Sequence, residues 1–221
     1  NMKKALKNII KQYNPQMIGV ATTCLAETIG EDIKRIKDEF VEENQNFLEM
    51  VNLENIVSVQ TPGYGGTQYE GYYRTIKALI DTLAEKNQKE DLFNIICPNI
   101  SPSEVREIKR IFDLFQMSYV IIPDVSDTLD GAYRENFTKI PEGGTKLSDI
   151  KKMGNSKLTI EIGNCIEKDY SSGEHLKEKF EIPYINLPLP IGYKNTKEFL
   201  KVLQELSGKE IPQELKKAEG R

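Results

Sequence analysis

The sequence predicts an α/β fold: Rossmann-like parallel sheets with flanking helices. Apolar-rich runs of strand length, at Met17–Ala21, Asn55–Gln60, Leu92–Cys97, Ser118–Ile122, Leu158–Ile162 and Pro183–Leu187, alternate with stretches whose apolar residues recur at helical spacing. Strand–helix alternation of this kind builds a parallel sheet covered by helices on its faces. The second half alone carries four such strands, whereas the first half carries two, which is thin for an independent sheet. Residues 1–88 therefore read as a partial Rossmann-like domain and residues 89–221 as a four-stranded parallel one, with strand order expected to be of the 2-1-3-4 type. The first half reads as part of a domain whose remainder is missing, so the chain is expected to be a fragment of a longer subunit.

With 221 residues the chain has length enough to bury a substantial core. A formal net charge of −4 gives no electrostatic case for nucleic acid or an anionic membrane surface. No apolar run approaches the ~20 residues needed to span a bilayer, and the start, Asn1-Met-Lys-Lys-Ala-Leu-Lys7, lacks the apolar core of a signal peptide. The three cysteines, Cys24, Cys97 and Cys165, are odd in number and far apart, which argues against a disulfide framework. A cytoplasmic protein with reduced thiols is expected.

Taken in order, Ala5, Leu6, Ile9 and Ile10 among lysines predict an amphipathic helix over 2–13, ended by Asn14-Pro15. Met17–Ala21 reads as a buried strand, and Ile29, Ile33, Ile36 and Phe40 stripe the helix after it. Between them lies a polar turn, Thr22-Thr23-Cys24, with Glu27 close behind. In an open α/β sheet ligands sit at this kind of strand end, where loop amides and helix N-termini converge. A thiolate there would suit a soft metal or an iron–sulfur cluster. A free cysteine is commonly just a small buried apolar residue, and position alone favours that plainer reading.

Asn55–Gln60 ends at Thr61-Pro62-Gly63-Tyr64-Gly65-Gly66-Thr67. A glycine-rich loop can cradle an anion, but neither nucleotide-binding glycine pattern is present, and a tight turn accounts for it on spacing alone. Tyr72, Tyr73, Ile76, Leu79, Ile80 and Leu83 form the inner face of the next helix. The charged stretch Glu85–Asp91 reads as the boundary between the halves. Beyond it, Ser101-Pro102-Ser103-Glu104 is a capping box with proline at the first helical position, opening a helix striped by Val105, Ile108, Ile111, Phe112 and Phe115. A long loop, about Val125 to Lys146, is of the length that usually serves function or an interface. A short helix from Ser148 stops at Gly154, read as a left-handed cap. Another helix is expected around His175–Phe180, and Asn195–Glu198 is read as capping a last one, which stops at Gly208.

The phrase Met17-Ile-Gly-Val-Ala-Thr-Thr-Cys-Leu-Ala-Glu-Thr-Ile-Gly-Glu-Asp32 resembles the signature of nitrogenase component-one β-type subunits. Ile122-Pro-Asp-Val-Ser-Asp-Thr-Leu-Asp-Gly131, Ile140-Pro-Glu-Gly-Gly-Thr145 and Leu187-Pro-Leu-Pro-Ile-Gly192 are similar to further landmarks of that family, in family order. The resemblance spans nearly the whole chain. It implies that Cys24 ligates an iron–sulfur cluster shared with an α-type subunit, and that Thr22, Thr23, Glu27 and Gly63 lie around it. It also implies partnership with an ATP-dependent iron protein reductase, and a role either in nitrogen fixation or in assembly of the iron–molybdenum cofactor. Catalytic β subunits typically carry serine where this chain has Gly63, and that departure leans toward the cofactor-assembly scaffold. The family's upstream cluster cysteines are absent, so no cluster is expected in these residues alone. A four-iron cluster needs about four thiolates.

Other residues read plainly. Cys97 and Cys165 are expected to be buried or incidental thiols, and His175 to face solvent in a charged helix. Glu27 is equally an ordinary first-turn acid, and Asp124, Asp127 and Asp130 are read as turn formers. The contrasting function is a Rossmann-like module that binds a small ligand or a protein without any cluster.

Overall fold

A computed structural model of the chain describes residues 2–30, 32–51, 53, 55–61, 66–98, 100–123, 147–163 and 170–216. They belong to two units, Asn1–Leu83 and Ala84–Arg221.

The first unit is built on β1 (Met17–Ala21) and β2 (Asn55–Val59), parallel and in the register Met17↔Asn55 to Ala21↔Val59. Helix α1 (Met2–Tyr13) ends where Asn14 turns to φ 43° ahead of Pro15. Leu6 and Ile10 of α1 pack with Ile18, Phe40 and Ile56 into one apolar cluster. β1 is not the buried strand that its composition suggests. Only Ile18 is buried, because a sheet of two strands leaves much of each strand uncovered.

The helix expected from Ile29 through Phe40 is two helices. α2 (Cys24–Thr28) stops at Gly30, whose φ of +72° is costly for residues other than glycine. α3 (Ile33–Glu43) restarts with the Asp32 carboxylate accepting from the Arg35 amide at 2.9 Å. Ile33 and Phe40 keep their places in the core, while Ile29 is left 65% exposed. A four-residue helix, α4 (Gln45–Leu48), follows. α5 (Gln68–Leu83) lies against β2 and buries Ile76, Ile80 and Leu83.

In the second unit β3 (Phe93–Cys97), β4 (Tyr119–Pro123), β5 (Leu158–Ile162) and β6 (Tyr184–Leu187) pair in parallel in the order β4-β3-β5-β6. That is the expected 2-1-3-4 order. Successive strand residues point to opposite faces. Phe93, Ile95, Cys97, Ile160 and Ile162 join the cluster formed by α6 (Pro102–Leu114) and α9 (Tyr193–Ser207), in which the Phe112 ring meets Phe199 edge-on at 6.2 Å. Asn94 and Glu161 turn the other way, toward the stretch built from α7 (Leu147–Lys152), the 3-10 turn Met153–Asn155 and α8 (Ser172–Phe180). Coverage on both faces explains why all of β3 is buried. A short α10 (Gln213–Lys216) adds Leu215 to the core.

The capping box stands as read: the Ser101 amide donates to Glu104 at 2.5 Å and the Glu104 amide to Ser101 Oγ at 3.3 Å. Gly208 closes α9 at φ 66°. Three other readings change. Gly154 is no left-handed cap. It sits inside the 3-10 turn, where only glycine fits: a Cβ there would stand 2.3 Å from the Glu85 carbonyl oxygen and 2.9 Å from the Phe180 ring. α9 starts at Tyr193 behind Gly192, so Asn195 lies within the helix rather than at its cap. His175 is buried, not solvent-facing, because α8 lays it on the side packed toward the sheet.

The charged stretch after α5 is bonded into the second unit. The Glu85 amide donates to the Lys151 carbonyl at 3.0 Å, the Asn87 amide to Asn155 Oδ1 at 2.6 Å and the Glu90 amide to the Asn155 carbonyl at 2.8 Å. Side chains could not reveal this, since the bonds are made by its backbone.

Candidate functional site

The turn after β1 is fixed by the strand beside it. The Thr22 amide continues the ladder by donating to the Val59 carbonyl at 3.1 Å. Thr61, leaving β2, then donates its amide to Thr22 Oγ1 at 3.0 Å and its hydroxyl to the Thr22 carbonyl at 2.6 Å. Thr22 is buried and Thr23 exposed. The chain leaving β2 and the chain leaving β1 are thus tied together at Thr61 and at Thr22, the latter two residues before Cys24.

Cys24 opens α2 and is half-buried; its carbonyl accepts from Thr28 Oγ1 at 2.8 Å. Leu25, beside it, is 70% exposed. Arg74 of α5 reaches the Gln60 carbonyl at 3.4 Å and pairs with Glu70, bracing the chain just before Thr61. The Thr22 and Thr61 hydroxyls and the Arg74 brace on the Gln60 carbonyl thus gather at the carboxyl end of the parallel strand pair, and Cys24 follows Thr22 by two residues. Glu27 belongs to α2, but its side chain lies outside the described structure, as do Gly63, the loop from Val125 to Lys146 with Asp124, Asp127 and Asp130 at its start, and Cys165.

A half-exposed thiol on a turn hydrogen-bonded through Thr22 is of the kind that can serve one corner of an iron–sulfur cluster, whose ligands are thiolates. Among the described residues no group of three or more His, Cys, Asp or Glu side chains comes together to hold a metal. Cys97 belongs to the core of the second unit, fully buried, and burial pushes its thiol well above its ordinary range.

Among the buried polar groups that the sequence reading does not single out are Asn94 and Glu161. Asn94 donates to the Met153 carbonyl at 3.0 Å and accepts from Ser156 Oγ at 2.8 Å. Glu161, 1% exposed, accepts from Ser171 Oγ at 2.7 Å and from the Gly173 amide at 2.9 Å. The signal was a lone charge inside the apolar run Leu158–Ile162, followed by Ser171-Ser172-Gly173 at a helix start.

Parallel sheets flanked by helices, with a thiol at the carboxyl end of a strand, define a Rossmann-like α/β protein with one potential soft-metal donor in its first unit. The chain belongs to the nitrogenase component 1 type oxidoreductase family, whose model matches residues 1–221. It is 34% identical over its whole length to the nitrogenase molybdenum-iron protein beta chain of Clostridium pasteurianum, covering 47% of that protein. It is 29% identical over 96% of its length to the nitrogenase iron-molybdenum cofactor biosynthesis protein NifN of Rhodobacter capsulatus, covering 45% of it. The solved structure of nitrogenase Cp1 at pH 6.5 superposes with a TM-score of 0.79 at 33% identity, over 98% of this chain and 46% of that one. The chain spans about half the length of the curated relatives it matches. Among the described residues no helix is long and apolar enough to cross a membrane.

Proposed function

We propose that this chain is the part of a β-type component-one subunit that presents Cys24 to an iron–sulfur cluster shared with an α-type subunit. The observation that carries the reading is the position of Cys24, half-buried at the head of α2 on a turn pinned through Thr22 and Thr61. Such a cluster, when bound, supplies one-electron transfer; the protein contributes ligation, orientation and electrostatics. Cys24 would give a thiolate, Thr22 would hold the turn, and Thr23, Glu27 and Gly63 would lie around the ligand. The intact complex would take its electrons from an ATP-dependent iron protein reductase, and the chain would work in the cytoplasm. Gly63, which offers no hydroxyl oxygen where catalytic β subunits carry serine, favours a role in cofactor assembly over catalysis.

The test is iron and acid-labile sulfide content, with the visible spectrum, of the full-length protein purified anaerobically with its α-type partner, as wild type and as Cys24→Ala. The expected result is a cluster that the variant loses or alters. Equal iron in both proteins, or none in either, would overturn the ligand role and favour a ligand- or protein-binding module. Transfer of an iron–molybdenum cofactor from the complex to a cofactor-deficient acceptor would support assembly. Substrate reduction by the complex itself would instead mark catalysis.

A further inference from the structure

We propose that the Glu161 side chain is a built-in occupant of the place at the start of α8 where an external oxygen-bearing ligand sits in ligand-binding sheets of this type, holding that helix through the hydrogen bonds its carboxyl group accepts. In open α/β sheets, ligands are held outside the carboxyl ends of the strands, by the amides that begin the following helices. Glu161 sits one residue from the end of β5 and is 1% exposed. One carboxylate oxygen accepts from Ser171 Oγ at 2.7 Å and the other from the Gly173 amide at 2.9 Å. Ser171 is also the N-cap of α8: its Oγ accepts from the Glu174 amide at 3.0 Å.

The backbone is shaped for this contact. A Cβ on Gly173 would come within 2.8 Å of the Tyr184 ring, so only glycine lets the helix start lie this close to β6. At the neighbouring helix start Glu104 closes a capping box from within its own helix, accepting from the Ser101 amide at 2.5 Å. β3 and β5, the strands that feed these two helices, are adjacent in the sheet. Of the two helix starts around the switch point of this sheet, the one after β3 is closed by its own capping box and the one after β5 by a strand residue, Glu161. The inference concerns the second unit and does not depend on whether Cys24 binds a cluster.

The experiment is thermal unfolding of the full chain with Glu161→Ala, in sodium formate and in sodium chloride of equal ionic strength. A core variant, Ile108→Ala, serves as the control. Removing the acceptor should lower Tm by roughly 5 °C. Formate should return part of that loss by mass action, while leaving Ile108→Ala and wild type where chloride leaves them. Glu161→Gln, which keeps the volume filled, should show no formate response. If Glu161→Ala does not fold in chloride, refolding yield in formate against chloride gives the same comparison. An equal formate effect on Glu161→Ala and Ile108→Ala, or an equal effect on Glu161→Gln, overturns the proposal.

Discussion

Thr61 donates twice to Thr22, through its amide at 3.0 Å and its hydroxyl at 2.6 Å, and so ties together two loops 39 residues apart in sequence. A part-buried hydrogen bond of this kind contributes about 1 kcal/mol net, and more is lost when its removal leaves a partner unsatisfied. Thr61→Val should cost about 1 kcal/mol and Thr22→Val about 1–2 kcal/mol, since Thr22 Oγ1 accepts from a backbone amide. Each substitution removes a different one of the two bonds, so the double variant should cost about the sum of the single losses. Denaturant midpoints of the variants check this; a loss well below the sum would mean that the two bonds form and break as one unit.

Two glycines should respond oppositely to an added methyl group, one for want of space and one for its conformational cost in a helix. Gly154→Ala drives a methyl group onto the Glu85 carbonyl and should destabilise by about 2–3 kcal/mol, since a backbone atom yields little. Gly71→Ala, with nothing within 4 Å of the added carbon inside α5, should stabilise by about 0.5–1 kcal/mol. Equilibrium unfolding of both distinguishes the cases by sign.

The thiols should differ in reactivity. Cys97 is fully buried, and burial holds it in the protonated, unreactive form. Alkylation of the native protein followed by peptide mass mapping should label half-buried Cys24 well before Cys97, and the two should converge in denaturant. Prompt native labelling of Cys97 would contradict its place in the core.

Stability should also fall with rising pH through Glu161. Burial raises its pKa above the ordinary 4.5, outweighing the lowering by the Ser171 hydroxyl and the Gly173 and Ser172 amides; Glu174 adds to the rise. A raised folded-state pKa contributes stability that is fully present below the unfolded value and is lost as pH climbs through the folded one. The Tm of wild type relative to Glu161→Gln should therefore decline from pH 4.5 upward. A flat difference would show that Glu161 ionises as easily in the folded protein as in the unfolded chain.

What was legible in the sequence were the features that local chemistry dictates. Five-residue apolar runs marked the strands, Ser101 and Glu104 marked a helix start, and Gly208 marked a helix end. The phrase around Cys24 pointed to the family, because a strand, a threonine-rich turn and a helix start are contiguous in the chain. What the sequence could not show depends on partners distant along the chain. The stripe from Ile29 to Phe40 has the right period for one helix, yet Gly30 and the Asp32 cap divide it. His175 lies among charged neighbours, yet packing of α8 against β5 and β6 buries it.

The sequence by itself determined the alternation of strands and helices, the parallel class of the sheets and the placing of Cys24 at a strand-to-helix turn, since periodicity and capping act over a few residues. Only the tertiary structure decided that Thr61 would hold the Thr22 turn, that Gly154 would meet the Glu85 backbone, and that Glu161 would close the start of α8. These rest on hydrogen bonds and close contacts between segments that become neighbours only when the sheets form.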